Sequence, residues 1–269
     1  MTQKESDPPL DAILHDACHK GSMDKVKHVL DLGQDVNCRG DWRMTPVMEA
    51  ARCEHRDVVE LLLSRGADVS LVDMYGDSTL HWACNGGDVG TMELILSKGM
   101  VDVNHRGAGS RTPVMEAARQ GHRDVVELLL SRGADVSLVD NDNDNSLHWA
   151  CGGGDVGTVE LILSQNVVEV NCREVGNWTP VMRAALGAHR DVVELLLSRG
   201  ADMSLVDMDG NNVLHWACMG GDVGLVELIL SLNVVDINTR NNYGETATDW
   251  ARDSGHDEQV DLLVSHGAR

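Results

Sequence analysis

Fourteen residues, His55 to Asp68 (HRDVVELLLSRGAD), return letter for letter at His122 to Asp135 and at His189 to Asp202. A second string, LHWAC, stands at Leu80 to Cys84, Leu147 to Cys151 and Leu214 to Cys218. Both recur every 67 residues, and because they interleave, the period resolves into shorter repeats of 33 and 34 residues. A chain written this way cannot close around one central core. Each repeat is a single supersecondary element that buries its apolar face only against its neighbours, so the repeats must stack.

The physics of one repeat is legible from Asp57 to Ser70. Val58, Val59, Leu61, Leu62 and Leu63 give a helix one apolar face, with Glu60 and Arg65 outside it. Gly66 follows the last turn, where a left-handed residue ends a helix without a Cβ penalty. Upstream, Thr45 is placed to cap a shorter helix and Pro46 takes its first position, where the missing N–H costs little. Ala50 and Ala51 then permit close helix packing.

These residues resemble the ankyrin repeat family. Its Thr-Pro-Leu-His-x-Ala-Ala turn and helix, Gly-His link and Gly-Ala-Asp-Val-Asn loop are nearly spelled out. Here they read Thr112-Pro113-Val114-Met115-Glu116-Ala117-Ala118, Gly121-His122 and Gly133-Ala134-Asp135-Val136-Ser137. The resemblance implies an all-α solenoid of stacked helix-turn-helix repeats joined by β-hairpin-like loops. It divides 10–269 into one repeat domain with repeats at about 10–40, 41–73, 74–107, 108–140, 141–174, 175–207, 208–241 and 242–269, after a disordered segment 1–9. The first and last repeats are expected to be polar-faced caps of a complete array. His256 joins Asp253, Asp257 and Glu258 on the outer side of the last. Odd repeats depart from the pattern in having Arg43, Ser110 and Asn177 for the turn glycine and Met48, Met115 and Met182 for the histidine. Even repeats replace Thr-Pro with Ser78-Thr79, Asn145-Ser146 and Asn212-Val213, and carry one extra residue before the next turn, as at Gly99-Met100-Val101.

Composition narrows the function. Lys plus Arg number 22 against 43 Asp plus Glu, a formal charge of −21. Nucleic-acid phosphates and anionic membranes need clustered basic residues, so neither is an expected partner, and a basic protein or peptide is. Seven cysteines, an odd number, include Cys84, Cys151 and Cys218 at one repeat position, a pattern expected of reduced thiols in cytoplasm or nucleus. No stretch reaches the roughly 20 apolar residues of a membrane span, and Met1 to Pro9 lacks an apolar signal region. The acidic surface favours a monomer.

In the ankyrin resemblance, the residue after the histidine of Leu-His looks toward the concave groove. That position holds Asp16, Glu49, Trp82, Glu116, Trp149, Arg183, Trp216 and Trp250, so four of the six tryptophans lie on one ladder. Tryptophan combines large contact area with few rotatable bonds and is enriched at binding hot spots. Each indole could equally stiffen the stack by packing on the next helix; the alternation of carboxylate and indole favours a peptide-binding surface. Trp42 and Trp178 fall in hairpin tips at equivalent or near-equivalent places, beside Tyr75 and Tyr243, where solvated aromatics point to binding.

Other motifs yield to structural readings. His81, His148 and His215, each three residues before a cysteine, lie on separate layers and cannot assemble the four ligands zinc wants. Asp140, Asp142 and Asp144 imitate the start of a calcium loop, but Asn145 and Cys151 stand where it needs glycine and a bidentate glutamate. Gly152-Gly153-Gly154 reads as a helix-helix turn, since no Lys-Ser/Thr follows to hold phosphate. No nucleophile and base break the repeat symmetry, so no catalysis, cofactor or metal is expected. The resemblance also implies possible hydroxylation of the loop asparagines Asn37, Asn104, Asn171 and Asn238. The expected role is a protein-interaction scaffold binding a partner on the concave face and hairpin tips. The alternatives are a structural spacer or assembly module and an engineered or consensus array.

Overall fold

The structure, a computed structural model, describes residues 8–99 and 101–269. The segment 1–9 expected to be disordered lies outside the described residues except for Pro8 and Pro9, as does Met100 of the inserted position. Among the described residues there are sixteen α-helices in eight consecutive pairs. They run α1 (Leu10–His19) with α2 (Met23–Asp31), α3 (Pro46–Arg52) with α4 (Arg56–Ser64), α5 (Thr79–Gly86) with α6 (Val89–Leu96), and α7 (Pro113–Gln120) with α8 (Arg123–Ser131). There follow α9 (Ser146–Gly153) with α10 (Val156–Ser164), α11 (Pro180–Leu186) with α12 (Arg190–Ser198), α13 (Val213–Gly220) with α14 (Val223–Leu232), and α15 (Ala247–Asp253) with α16 (Asp257–Ser265). The described residues contain no strand; the hairpin-like loops hold only two isolated bridges, Val72 with Ser78 and Arg240 with Thr246. The protein is an all-α ankyrin-type repeat fold.

Two compact units emerge, Met1–Ala117 with Asp124–Ala134, and Ala118–Arg123 with Asp135–Arg269. Inside each, helices of like kind stack. In the first, α1 packs on α3 and α3 on α5, with α2 on α4 and α4 on α6. In the second, α9, α11, α13 and α15 form one layer, and α10 packs on α12 and α14 on α16 in the other. Leucine, valine, alanine and methionine fill these layers, among them the fully buried Leu14, Met48, Leu80 and Met92 in one unit and Leu147, Ile162 and Leu196 in the other. Thin layers suit a chain without phenylalanine.

Glycine sets the closest approaches. A Cβ on Gly220 would lie 2.6 Å from the carbonyl oxygen of Ala185, and one on Gly153 would lie 2.3 Å from that of Arg119. No side chain fits there. The first helices of successive repeats therefore meet backbone to backbone at their C-terminal ends. Gly154 follows with φ 84° and caps α9 in the left-handed conformation. The Gly152-Gly153-Gly154 run is thus a packing and turn device.

The family histidine and its methionine substitute both cap helices. His81 Nδ1 accepts the backbone N–H of Ser78 at 3.2 Å, which leaves Nε2–H to donate to the carbonyl of Arg111 at 3.1 Å in the next repeat. His215 does the same with Asn212 and with the carbonyl of Glu245. Burial lowers the pKa of His81 and His215 and takes that of His148 down to about 4, so the imidazoles stay neutral as this hydrogen bonding requires. In the odd repeats the sulfurs of Met48 and Met115 sit 3.4 Å from the N–H of Thr45 and Thr112, a weaker acceptor in the same place. The histidine opening the second helix reaches backwards: His55, His189 and His256 donate to the carbonyls of His19, Gly152 and Met219. His256, expected on the outer side of the last repeat, is therefore turned inward onto its neighbour.

Candidate interaction surface

In the first compact unit the ladder runs Asp16, Glu49, Trp82, Glu116. Asp16 is exposed and paired with Lys20 at 2.6 Å. Glu49 accepts from Arg52 at 2.9 Å, and Glu116, itself buried, pairs with Arg111 at 2.8 Å. Trp82 is half-buried, and its indole N–H donates to Asp73 Oδ2 at 3.2 Å. Asp73 and its counterpart Asp140 close the preceding turn by accepting two backbone N–H groups each.

The second unit holds Trp149, Arg183, Trp216 and Trp250 at the same repeat position. Trp149 repeats the Trp82 arrangement, donating to Asp140 Oδ2 at 3.0 Å, and Trp250 donates to Glu245 Oε2 at 2.9 Å. Trp216 breaks the rule. Its would-be partner Asp207 is taken by the side-chain amide of Asn211, and the Trp216 N–H is shut off from solvent without an acceptor. Trp216 is only 8% exposed. It packs on Trp178 at a 45° tilt with centroids 3.8 Å apart and meets Trp250 edge-on at 5.0 Å and 84°. Arg183 lies over Trp178 at 4.9 Å and donates to both Asp144, at 2.8 Å, and Glu174. Burial and the adjacent Glu174 push the carboxyl of Asp144 up to about 8.

The hairpin tips divide. Trp42 is 58% exposed and Tyr75 56% exposed, whereas Trp178 folds back onto Trp216. The two tryptophans are not at equivalent places. Trp178 immediately precedes its Thr-Pro, at the register of the buried Met44 and of Arg111, which pairs with Glu116. Trp42 shares the register of Gly109 and Gly176, one residue before the position of the apparently missing turn glycine. All three have positive φ, 52°, 64° and 94°, as do Arg43, Ser110 and Asn177 after them. The odd repeats thus keep a turn with two left-handed residues, which favours glycine, and the first of them, 41–73, places an exposed indole in it. Tyr243 is exposed, with its hydroxyl donating to Asp209 at 3.0 Å.

The asparagines noted for modification are tied into the stack: Asn37 and Asn171 accept the backbone N–H of Asp68 and Asp202, and Asn238 that of Arg269. All seven cysteines are free; burial pushes Cys18 and Cys218 up to about 12 and raises Cys84 and Cys151 well above the ordinary thiol range. One group among the described residues, His19, Glu49 and Cys53, brings three candidate ligand atoms within 4.8 Å of one another. Arg52 donates to Glu49 and lies 3.2 Å from His19, so a guanidinium already holds the cation's place. No helix among the described residues is long and apolar enough to cross a membrane.

Comparison with known proteins matches the same frame. The family model for ankyrin repeats (three copies) aligns with 4–73, 66–140, 114–207 and 199–269. The chain is similar to mouse palmitoyltransferase ZDHHC13, 31% identical over 91% of this chain and 38% of that protein. It is also similar to human transient receptor potential cation channel subfamily A member 1, 30% identical over 81% of this chain and 21% of the channel subunit. A third relative is the Caenorhabditis elegans ankyrin repeat and KH domain-containing protein mask-1, 28% identical over 78% of this chain and 8% of that protein. The chain spans well under half the length of each. Helix pairs, Thr-Pro and histidine caps, and a family match from residue 4 to residue 269 lead to one conclusion: the chain belongs to the ankyrin-repeat family.

Proposed function

We propose that this chain is a protein-interaction module whose ladder and hairpin tips receive a basic, apolar-studded segment of a partner protein. One observation carries the reading: Trp82, Trp149 and Trp250, at equivalent places in three repeats, are half-buried and each donates its indole N–H to a carboxylate. The hydrogen bond fixes the ring, so little side-chain entropy is lost on binding, and the carboxylate beneath it sets a negative potential around an apolar surface. Glu49 and Glu116 add to that potential in the first unit. Trp42 supports the tips as contacts. A non-glycine residue in the left-handed region costs free energy, and an exposed tryptophan there gains no packing in return. Trp216 and Trp178 belong to the support of the ladder, since they bury one another.

No catalytic role is proposed, and the transferase activity in one relative's name is that protein's. A cytoplasmic or nuclear, monomeric protein with reduced thiols is the setting this reading assumes. The spacer reading has its own observation: Arg52, Arg111 and Arg183 already engage carboxylates along the ladder, so part of its charge is satisfied within the chain.

The test is parallel affinity capture from cell extract with the native chain, a Trp82→Ala/Trp149→Ala variant and a Trp42→Gly variant, all checked by circular dichroism. Loss of the same proteins from the double variant, at a cost of about 1 kcal/mol or more per hot-spot indole, supports the ladder. Loss with Trp42→Gly, which restores the glycine of the sister repeats, supports the tips. Identical captures from all three chains would leave the spacer reading standing.

A further inference from the structure

The second compact unit holds one cation on an indole, and the aromatic cluster that takes part leads on to an acidic cleft. The Arg183 guanidinium lies over Trp178 at 4.9 Å while Asp144 and Glu174 accept its N–H groups. Trp178 packs on Trp216 at a 45° tilt, and Trp216 meets Trp250 at 84°, so the aromatic cluster continues beyond Trp178 by two more rings. There Trp216 and Trp250 line a cleft of about 320 Å³ with Met219, Glu245, Asp253 and Ser254. Two indoles at right angles, a methionine that is 48% exposed and two carboxylates make up its wall, with no lysine or arginine among the lining residues. Glu245 is anchored: the side chains of Asn241 and Trp250 both donate to its Oε2. These bonds hold its carboxyl below the usual range, so it is ionised at neutral pH.

We propose that this cleft binds an arginine side chain from the partner protein, in the manner in which Trp178, Asp144 and Glu174 hold Arg183. The proposal rests on the interaction reading above and gives it a specific anchor. A guanidinium is planar, weakly hydrated and always charged, and it stacks on aromatic faces while donating in plane to carboxylates. Its aliphatic stem needs an apolar wall, which Met219 supplies. A ring cluster of this kind without acidic partners would take any apolar group; Glu245 and Asp253 make a cation the better occupant. The chain's formal charge of −21 raises the local concentration of basic segments in the same sense.

The experiment uses the full chain labelled with 15N and reads the indole Nε1–H resonances of Trp216 and Trp250, assigned with phenylalanine variants. N-acetyl-arginine amide is titrated against N-acetyl-citrulline amide, its neutral near-isostere, and against N-acetyl-lysine amide. The expected result is a saturable shift of both resonances with the arginine probe and binding about tenfold weaker for citrulline, the scale of one desolvated cation–π contact. Lysine should fall between them. A Glu245→Gln/Asp253→Asn variant, whose remaining indole spectrum reports the intact fold, should lose the preference for arginine over citrulline. Equal binding of arginine and citrulline, lysine as good as arginine, or an unchanged preference in the double variant overturns the assignment. This failure is separable from failure of the ladder. Partners lost with Trp82→Ala/Trp149→Ala and no arginine binding at Trp250 would sink the cleft alone, and the reverse pattern would sink the ladder alone.

Discussion

Trp149 and Trp216 occupy the same place in successive even repeats, and substituting each with phenylalanine separates ring packing from the indole N–H. Trp216 is the more buried and touches two other indoles, so contact area alone would make Trp216→Phe the costlier change. Phenylalanine keeps a ring in the cluster, and the two ring carbons it loses cost about 1.5 kcal/mol at about 0.8 kcal/mol per buried carbon. Against this stands the Trp216 N–H, which is shut off from solvent with no acceptor. A buried donor left unmade costs about 1–3 kcal/mol, and phenylalanine removes it. The two effects offset one another, and the net change is expected within about 1 kcal/mol of zero.

Trp149→Phe has no such relief. It loses a 3.0 Å hydrogen bond to Asp140, a carboxylate that is itself 8% exposed. Hydrogen bonds to charged groups contribute about 1.5–3 kcal/mol, and the orphaned Oδ2 regains water poorly. The expected order is therefore the reverse of the burial order, with Trp149→Phe less stable than Trp216→Phe by about 1.5 kcal/mol or more. Urea unfolding followed by far-ultraviolet circular dichroism gives the midpoints at unchanged slope. Trp82→Phe should behave like Trp149→Phe, because Asp73 is equally buried. A Trp216→Phe variant that is the least stable of the three would refute the reasoning, and with it the assignment of an unmet donor at the centre of the aromatic cluster.

Two further outcomes follow from the packing and the charges. Gly152 and Gly153 are neighbours in α9, yet a Cβ on Gly152 meets nothing within 4 Å while one on Gly153 meets the Arg119 carbonyl at 2.3 Å. Gly152→Ala should stabilise by about 0.5–1 kcal/mol through helix propensity, and Gly153→Ala should destabilise by about 1–3 kcal/mol through overpacking; thermal melts of both variants giving the same sign would contradict the close approach. Asp144 titrates near 8 when folded, because of burial and the adjacent Glu174, against about 3.9 unfolded. The folded state therefore holds the extra proton, and this stabilisation is complete below pH 4 and is lost as pH rises toward 8. Asn mimics the protonated carboxyl, so the melting temperatures of the native chain and of Asp144→Asn should lie closest near about pH 4 and diverge toward about pH 8, the native chain falling relative to the variant; parallel curves would exclude the carboxyl as the source.

The frame of the molecule was legible because it is periodic. The LHWAC histidines and the Gly66-type helix ends act through local hydrogen bonding that depends on a few neighbouring residues and fall where the repeats require. Pro46 opens α3 as expected, although the Thr45 hydroxyl placed to cap that helix is buried without a partner. The behaviour of the ladder was less legible, since what a tryptophan does there depends on residues about ten and thirty-five positions away. Trp149 and Trp216 sit in the same pentapeptide, LHWAC. One is tied to Asp140, while the other loses Asp207 to Asn211, which stands where the preceding even repeat has Asp144, and gains Trp178, which stands where other repeats have Met44 or Arg111. Trp178 was misassigned to a solvated tip for a related reason. Its position relative to Thr179, rather than its distance from the turn, decides which way it points.

Those departures add to what the repeated tryptophans carry in the proposed reading. A position shared by every repeat can be explained by stacking alone, since each repeat must satisfy the same neighbours. A position that breaks the register has to be explained by something else. Asn211, Trp178, Arg183 and Glu174 break it together, within one compact unit, and the result is an arginine laid on an indole next to a cluster that leads to an acidic aromatic cleft. Trp42 breaks it in the other unit by standing, exposed, where the sister repeats keep a left-handed glycine. Duplication supplies the scaffold, and on the proposed reading the departures at aromatic positions are the first places to test for binding.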